Sequence, residues 1–168
     1  KVYFTTGHGE WPLEPIEPRD PASLSELRKT LLQEGYLPNA INLADGKEVP
    51  KDAALVVIGG AKSKFGKGEV EQLSRYLDQG GRMLYFAEAG AEPGLDAVLA
   101  RQGVQVDPGL VADDVYAIDS PYLVVSHFFG DTELARDLKR AQYNLQFPTA
   151  RGLTALGRWL HEDEAARQ

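Results

Sequence analysis

The chain has 168 residues, 25 acidic against 18 basic side chains for a net charge of −7, and no cysteine. That length builds one self-sufficient core and falls short of two ordinary domains. The acidic balance argues against a protein that neutralises nucleic-acid phosphates, and the missing cysteines exclude disulfides, thiolate metal sites and a cysteine nucleophile. With 43% hydrophobic and 26% charged residues the composition is globular, not disordered. No apolar run approaches the ~18–20 residues of a membrane helix. The longest, around Ala53 to Ile58, is strand-sized. The chain starts at Lys1 in a strand-like run with no signal peptide, and is expected to be a single α/β domain excised from a longer, membrane-tethered protein.

In chain order, residues 1–6 (KVYFTT) form a first strand that stops at Gly7-His8-Gly9. Residues 10–21 hold four prolines, which rules out extended regular structure. Ser23 with Glu26 three residues on predicts a capping box and a helix carrying Leu24, Leu27 and Leu31, stopped by Gly35. Residues 40–43 are a short strand candidate. Residues 53–58 (AALVVI) are continuously apolar, as in a strand covered on both faces. A lysine-bearing loop follows Gly59-Gly60. Then come a helix with Val70, Leu73 and Leu77 inward, the strand RMLYFA at 82–87, and a helix started by Pro93 and closed by Gly103. Val104 and Val106 mark a further strand and residues 122–125 the next. A helix from about Thr132, capped by Asp131, and a charged segment at 158–168 complete the reading.

Strands alternating with helices of about ten residues point to βαβ units and a mostly parallel sheet, hence a three-layer α/β sandwich of flavodoxin-like or class I glutamine amidotransferase-like type. Ligands of such sheets bind beyond the carboxyl ends of the strands. Four loops therefore form the expected functional edge: 6–11, 59–68, 88–93 and 126–130.

In the first of these loops two glycines bracket His8, presenting the imidazole at the sheet edge with Glu10 near enough to orient it. The alternative is a glycine turn in which both side chains satisfy backbone groups. In the second loop Lys62, Lys64 and Lys67 make a positive spot ahead of a helix N-terminus, suited to an anion. It is not a phosphate loop of the nucleotide-hydrolysing kind. Five residues, not four, separate Gly60 from Gly66-Lys67, and Gly68 stands where the Mg²⁺-binding hydroxyl belongs. Ser63 lacks the flanking glycines of a nucleophile elbow. His8, Glu10, Asp113, Asp114 and His127 have no helix spacing that would mark a metal site. Neither a catalytic residue, a metal nor a cofactor is assigned. His8, Glu10, Lys62, Lys64, Lys67 and His127 are the candidate ligand or partner contacts.

The order of landmarks then carries a family likeness. Gly7-His8-Gly9-Glu10 ends the first strand, and Gly35-Tyr36, Ile41-Asn42-Leu43 and Val49-Pro50 follow. The strand Leu55-Val56-Val57-Ile58-Gly59-Gly60 leads to Gly80-Gly81-Arg82, Gly103-Val104 and Phe147-Pro148-Thr149-Ala150-Arg151. In this combination the chain resembles the extracytoplasmic domain of gliding-motility-type ABC-transporter auxiliary proteins, and is similar to the head domain of an intraflagellar transport subunit. The resemblance implies a class I glutamine amidotransferase-like fold without catalytic role. Its expected partners are an ABC-transporter membrane subunit or related assembly and a carbohydrate or small-anion ligand, on the extracytoplasmic side of a membrane reached through segments outside this chain. Nucleic acid is not an expected partner. The leading functional expectation is a non-catalytic binding domain. An amidotransferase-like or hydrolase-like enzyme and a small-anion sensor at residues 62–67 are the alternatives.

Overall fold

A computed structural model describes residues 1–14, 23–115, 120–126 and 130–156. His127, the charged segment at 158–168 and most of the proline-rich stretch at 10–21 lie outside them. The chain divides into two compact units, Lys1–Gln102 and Gly103–Gln168.

The first unit is a four-stranded, fully parallel sheet: β1 (Val2–Thr5), β2 (Pro38–Ile41), β3 (Leu55–Gly59) and β4 (Met83–Phe86), in the order β2-β1-β3-β4. Val2 sits opposite Pro38 on one side and Leu55 on the other, and Gly59 opposite Phe86. Pro38 opens an edge strand, where its missing N–H removes no ladder bond from a central position. The continuous apolar run of β3 is explained by its neighbours. Val57, with Val2 and Phe4 of β1, packs toward Leu24, Leu27 and Leu31 of the α1 region (α1, Ser25–Gln33). Val56 and Ile58 face Leu73 of α2 (Lys67–Asp78) and Val98 of α3 (Asp96–Arg101). Helices thus cover both faces, and unit one is a three-layer α/β arrangement.

Two helix starts differ from the sequence reading. Ser23 Oγ accepts the Ser25 N–H at 3.0 Å, and α1 begins at Ser25 with Leu24 as its N-cap, so the Ser23–Glu26 capping box does not form. The reason is burial of Leu24: its N–H donates to Pro12 O at 2.9 Å and its side chain lies over Gly59, where a Cβ would stand 2.6 Å from Leu24 Cδ1. Pro93 does not open α3 but precedes it by a loop, its carbonyl accepting the Phe65 N–H at 3.0 Å. Gly35 does end α1. It has φ +79°, its N–H bonds Leu32 O at 3.1 Å and the Tyr36 N–H bonds Leu31 O at 2.8 Å, a Schellman motif.

The second unit departs from the βαβ pattern. β5 (Val104–Leu110) pairs antiparallel with β8 (Arg151–Ala155), and β6 (Leu123–Ser126) pairs antiparallel with β7 (Leu145–Pro148). The sequence of β5, VQVDPGL, alternates apolar and polar residues over its first half, the pattern of a half-solvated antiparallel strand and unlike the run in β3. α4 (Glu133–Arg140) is capped by Thr132, whose Oγ1 accepts the Ala135 N–H at 3.2 Å; Asp131 is not the cap.

Candidate functional site

The strand order dictates where a site forms. From β1 the chain crosses through α1 to β2, then returns past β1 to β3 on the other flank. The connections leaving β1 and β3 therefore run to opposite faces and open a crevice at the carboxyl ends of those two strands. Three of the four expected edge loops meet here, bound through their backbones. Trp11 N–H donates to Gly59 O at 2.8 Å, Lys62 and Ser63 N–H donate to His8 O at 2.8 and 3.0 Å, and Phe65 N–H donates to Pro93 O at 3.0 Å. The fourth, 126–130, belongs to the second unit and has residues 127–129 outside the described set.

His8 lies inside this junction, not on its rim. Its ring stacks on Phe65 with centroids 3.9 Å apart and planes 17° from parallel. Nε2 stands 3.1 Å from Glu69 Oε2, and Nδ1 stands 3.5 Å from Glu10 Oε1, with the three side chains only 9%, 10% and 4% exposed. The second contact is within ion-pair range but too long for a hydrogen bond. Each carboxylate also holds a backbone N–H through its other contacts: Glu10 Oε2 accepts from His8 N at 2.7 Å, and Glu69 Oε2 accepts from Gly66 N at 2.6 Å. Glu69 thereby caps α2 as its third residue, placing its negative charge at the positive end of the helix. That carboxylate occupies the position an incoming anion would take.

The free oxygens Glu10 Oε1 and Glu69 Oε1 are buried without hydrogen-bond partners, as is His8 Nδ1. Two buried carboxylates flanking one imidazole act chemically as a clamp, with removal of the ring leaving their charges facing apolar surroundings. Among the described residues no set of three His, Cys, Asp or Glu side chains is arranged to hold a metal ion.

Trp11 closes the other side of the crevice. Its indole lies directly over Gly60, which has φ +64°, and its Nε1–H donates to Glu88 Oε2 at 2.8 Å. Any Cβ at Gly60 would overlap that ring, so glycine is required for two independent reasons, backbone and space. Lys62, Lys64 and Lys67 are exposed, as is Ser63, and the lysines form no ion pair among the described residues.

Of the residues singled out from sequence, the structure joins His8 to Glu10 and places the three lysines outside that pair. Glu69, Phe65, Trp11 and Glu88 complete the cluster without having been singled out. Glu69 had a readable signal, a glutamate three residues after the glycine that precedes a helix. Phe65 and Trp11 had none, since their roles arise from contacts between distant loops.

Residues 1–127 match the family model ABC_transp_aux, described as an ABC-type uncharacterized transport system. No curated protein matches the chain. Among solved structures the mmIFT52 N-terminal domain is similar, with TM-score 0.67 and 21% identity, covering 92% of this chain and 68% of that one. The exo-beta-1,4-mannosidase Op5Man5 from Opitutaceae bacterium strain TAV5 gives TM-score 0.52 and 13% identity, covering 93% of this chain but 25% of that one. At such identities these likenesses concern the fold alone.

Proposed function

Because the chain belongs to the ABC-type uncharacterized transport system family, we propose that it is a non-catalytic recognition domain of an ABC-type transport assembly. In this reading it sits on the extracytoplasmic side of the membrane within a longer membrane-anchored protein of the gliding-motility type. There it recognises a partner protein or a glycan-like ligand through the loop at 59–68. The amidotransferase-like relationship of the fold belongs to the same reading.

One observation carries it: the crevice where a doubly wound sheet takes a substrate is filled by the chain's own His8 and Trp11. The carboxylates that would serve an enzyme hold backbone N–H groups, while Lys62, Lys64 and Lys67 are exposed and form no ion pair among the described residues. His8 and Glu10 are then positioning residues and Lys62, Lys64 and Lys67 the contacts, favouring an acidic partner surface.

Charge reversal at Lys62, Lys64 and Lys67 together should abolish co-purification with the transporter's membrane subunit, or binding to an acidic polysaccharide probe. Reversal of Lys29, which pairs with Glu26 on α1, should not. Retained binding by the triple variant would sink the reading. The open reading frame should also encode apolar segments of about 20 residues beside this domain.

A further inference from the structure

A second feature lies at the opposite end of the parallel sheet, where β3 and β4 begin. The C-terminal half of α2 and residues 48–53 enclose a cleft of about 410 Å³, a volume that takes a metabolite-sized ligand. One wall is the ring of Tyr76. Its hydroxyl donates to Arg82 O and accepts from Arg82 N–H, both at 3.1 Å, and its ring lies against Gly81, where a Cβ would be 2.5 Å from Cζ. The aromatic surface is fixed in place without a ligand.

Gln72, one turn earlier on α2, also lines the cleft, and its Oε1 is buried with no hydrogen-bond partner. Burying an amide oxygen unpaired is unfavourable and calls for a donor. Arg75 bonds Glu48 Oε1 through Nη1 at 3.1 Å, and the remaining N–H groups of its planar fork have no partner among the described residues. Lys51 forms no ion pair among the described residues. Two cations against one carboxylate make this cleft locally positive on a chain of net charge −7.

We propose that this cleft is a second binding site, for a small organic carboxylate that carries a hydrogen-bond donor next to its acid group. Lys51 and Arg75 take the carboxylate, a turn of the Gln72 amide brings its buried Oε1 to the donor, and the carbon skeleton lies on the Tyr76 ring. The site is independent of the lysine loop at 59–68, so either assignment stands or falls without the other.

The test is an amide-resolved NMR titration of the chain with L-malate, L-aspartate, succinate and erythritol. Malate or aspartate should shift the amides of Gln72, Arg75 and Gly81 and bind at least about tenfold more tightly than succinate, which lacks the donor. Erythritol, lacking the acid, should leave them unmoved. Preference for malate identifies a hydroxyl donor and preference for aspartate an amine, and either result supports the site. Gln72→Leu should erase the preference over succinate, and the surface change Lys51→Gln should weaken every acid without touching the fold. Equal binding of succinate and malate, shifts confined to residues 62–67, absence of millimolar binding, or unchanged affinity in Lys51→Gln would each overturn it.

Discussion

The two units hold themselves together by different means. In the first, β1 is buried at every position, and β3 is buried from Val56 onward with helices on both faces. In the second, Val125 and Ala135 are the buried hydrophobic residues among those described, while Leu153, Tyr143, Tyr122 and Phe147 are exposed. The side-chain bonds that join β5 to β8 are polar: Asp107 accepts from Thr154 Oγ1 at 3.1 Å, and its carbonyl accepts from Arg151 Nε at 2.8 Å. Two-stranded ribbons are marginal by themselves in water, whereas a parallel sheet must be covered to exist at all. The lesson is that stability and sequence legibility reside in the same half of the molecule.

The sharpest way to break that contrast is truncation on each side of it. Ile58→Ala, at a fully buried position in β3, should destabilise by about 2–5 kcal/mol in denaturant unfolding. Leu153→Ala, at a position 69% exposed, should change stability by less than about 0.5 kcal/mol. Equal losses would mean the second unit has a core of its own. Next in size, Gly60→Ala should destabilise by about 1–3 kcal/mol through overlap with the Trp11 ring, and should shift tryptophan emission as the indole is displaced.

Hydrogen exchange sharpens the same division without mutation. Amides of β1 and β3 should exchange only through global unfolding, and those of β6 and β7 through local opening. A smaller effect comes from a helix end. α4 terminates as α1 does, with the Gln142 N–H on Lys139 O and the Tyr143 N–H on Leu138 O, both at 3.1 Å. Its left-handed residue is Gln142, at φ +55°, where α1 has glycine. Gln142→Gly should therefore stabilise by up to about 1 kcal/mol, measured by thermal unfolding, and Gly35→Ala should do the reverse.

The smallest effect is electrostatic. Asp52 accepts from the Tyr3 hydroxyl at 2.9 Å and pairs with Lys1 Nζ at 2.9 Å. Hydrogen bonds from Lys1 and Tyr3 hold its carboxyl below the ordinary value of 3.8, and the bond to Asp52 raises Lys1 above 10.5. Burial, followed by the Asp52 contact, raises Tyr3 above 10.0. The Asp52 contribution is present at neutral pH and is lost as pH falls through its lowered value. The Lys1 and Tyr3 contributions are lost as pH rises through their raised ones. Unfolding curves of Asp52→Asn and the parent chain should converge at both extremes of pH and differ between them.

The parallel half was readable because its signals are local and redundant. The run through Val56, Val57 and Ile58, the glycines at 35 and 80, and the periodic Val70, Leu73 and Leu77 all agree. The carboxyl-end rule points to the three loops that converge in the fold. The cluster itself was legible only in part, since His8 and Glu10 are neighbours in sequence but Phe65 and Glu69 reach them across about 60 positions. The second unit resisted because β5 carries an alternating pattern that does not name its partner. β7 and β8, short and mostly exposed, bear too little apolar contrast to stand out.

The anchoring of the lysine loop separates its shape from its side-chain chemistry. Ser63 is fastened to His8 O and Phe65 to Pro93 O, while Glu69 locks Gly66 from the far side. The side chains at 62, 64 and 67 project from a frame whose fixed points are backbone atoms. Substituting them should leave the sheet beneath undisturbed. The frame supplies the shape, and the three exposed positions can carry other side chains without altering it.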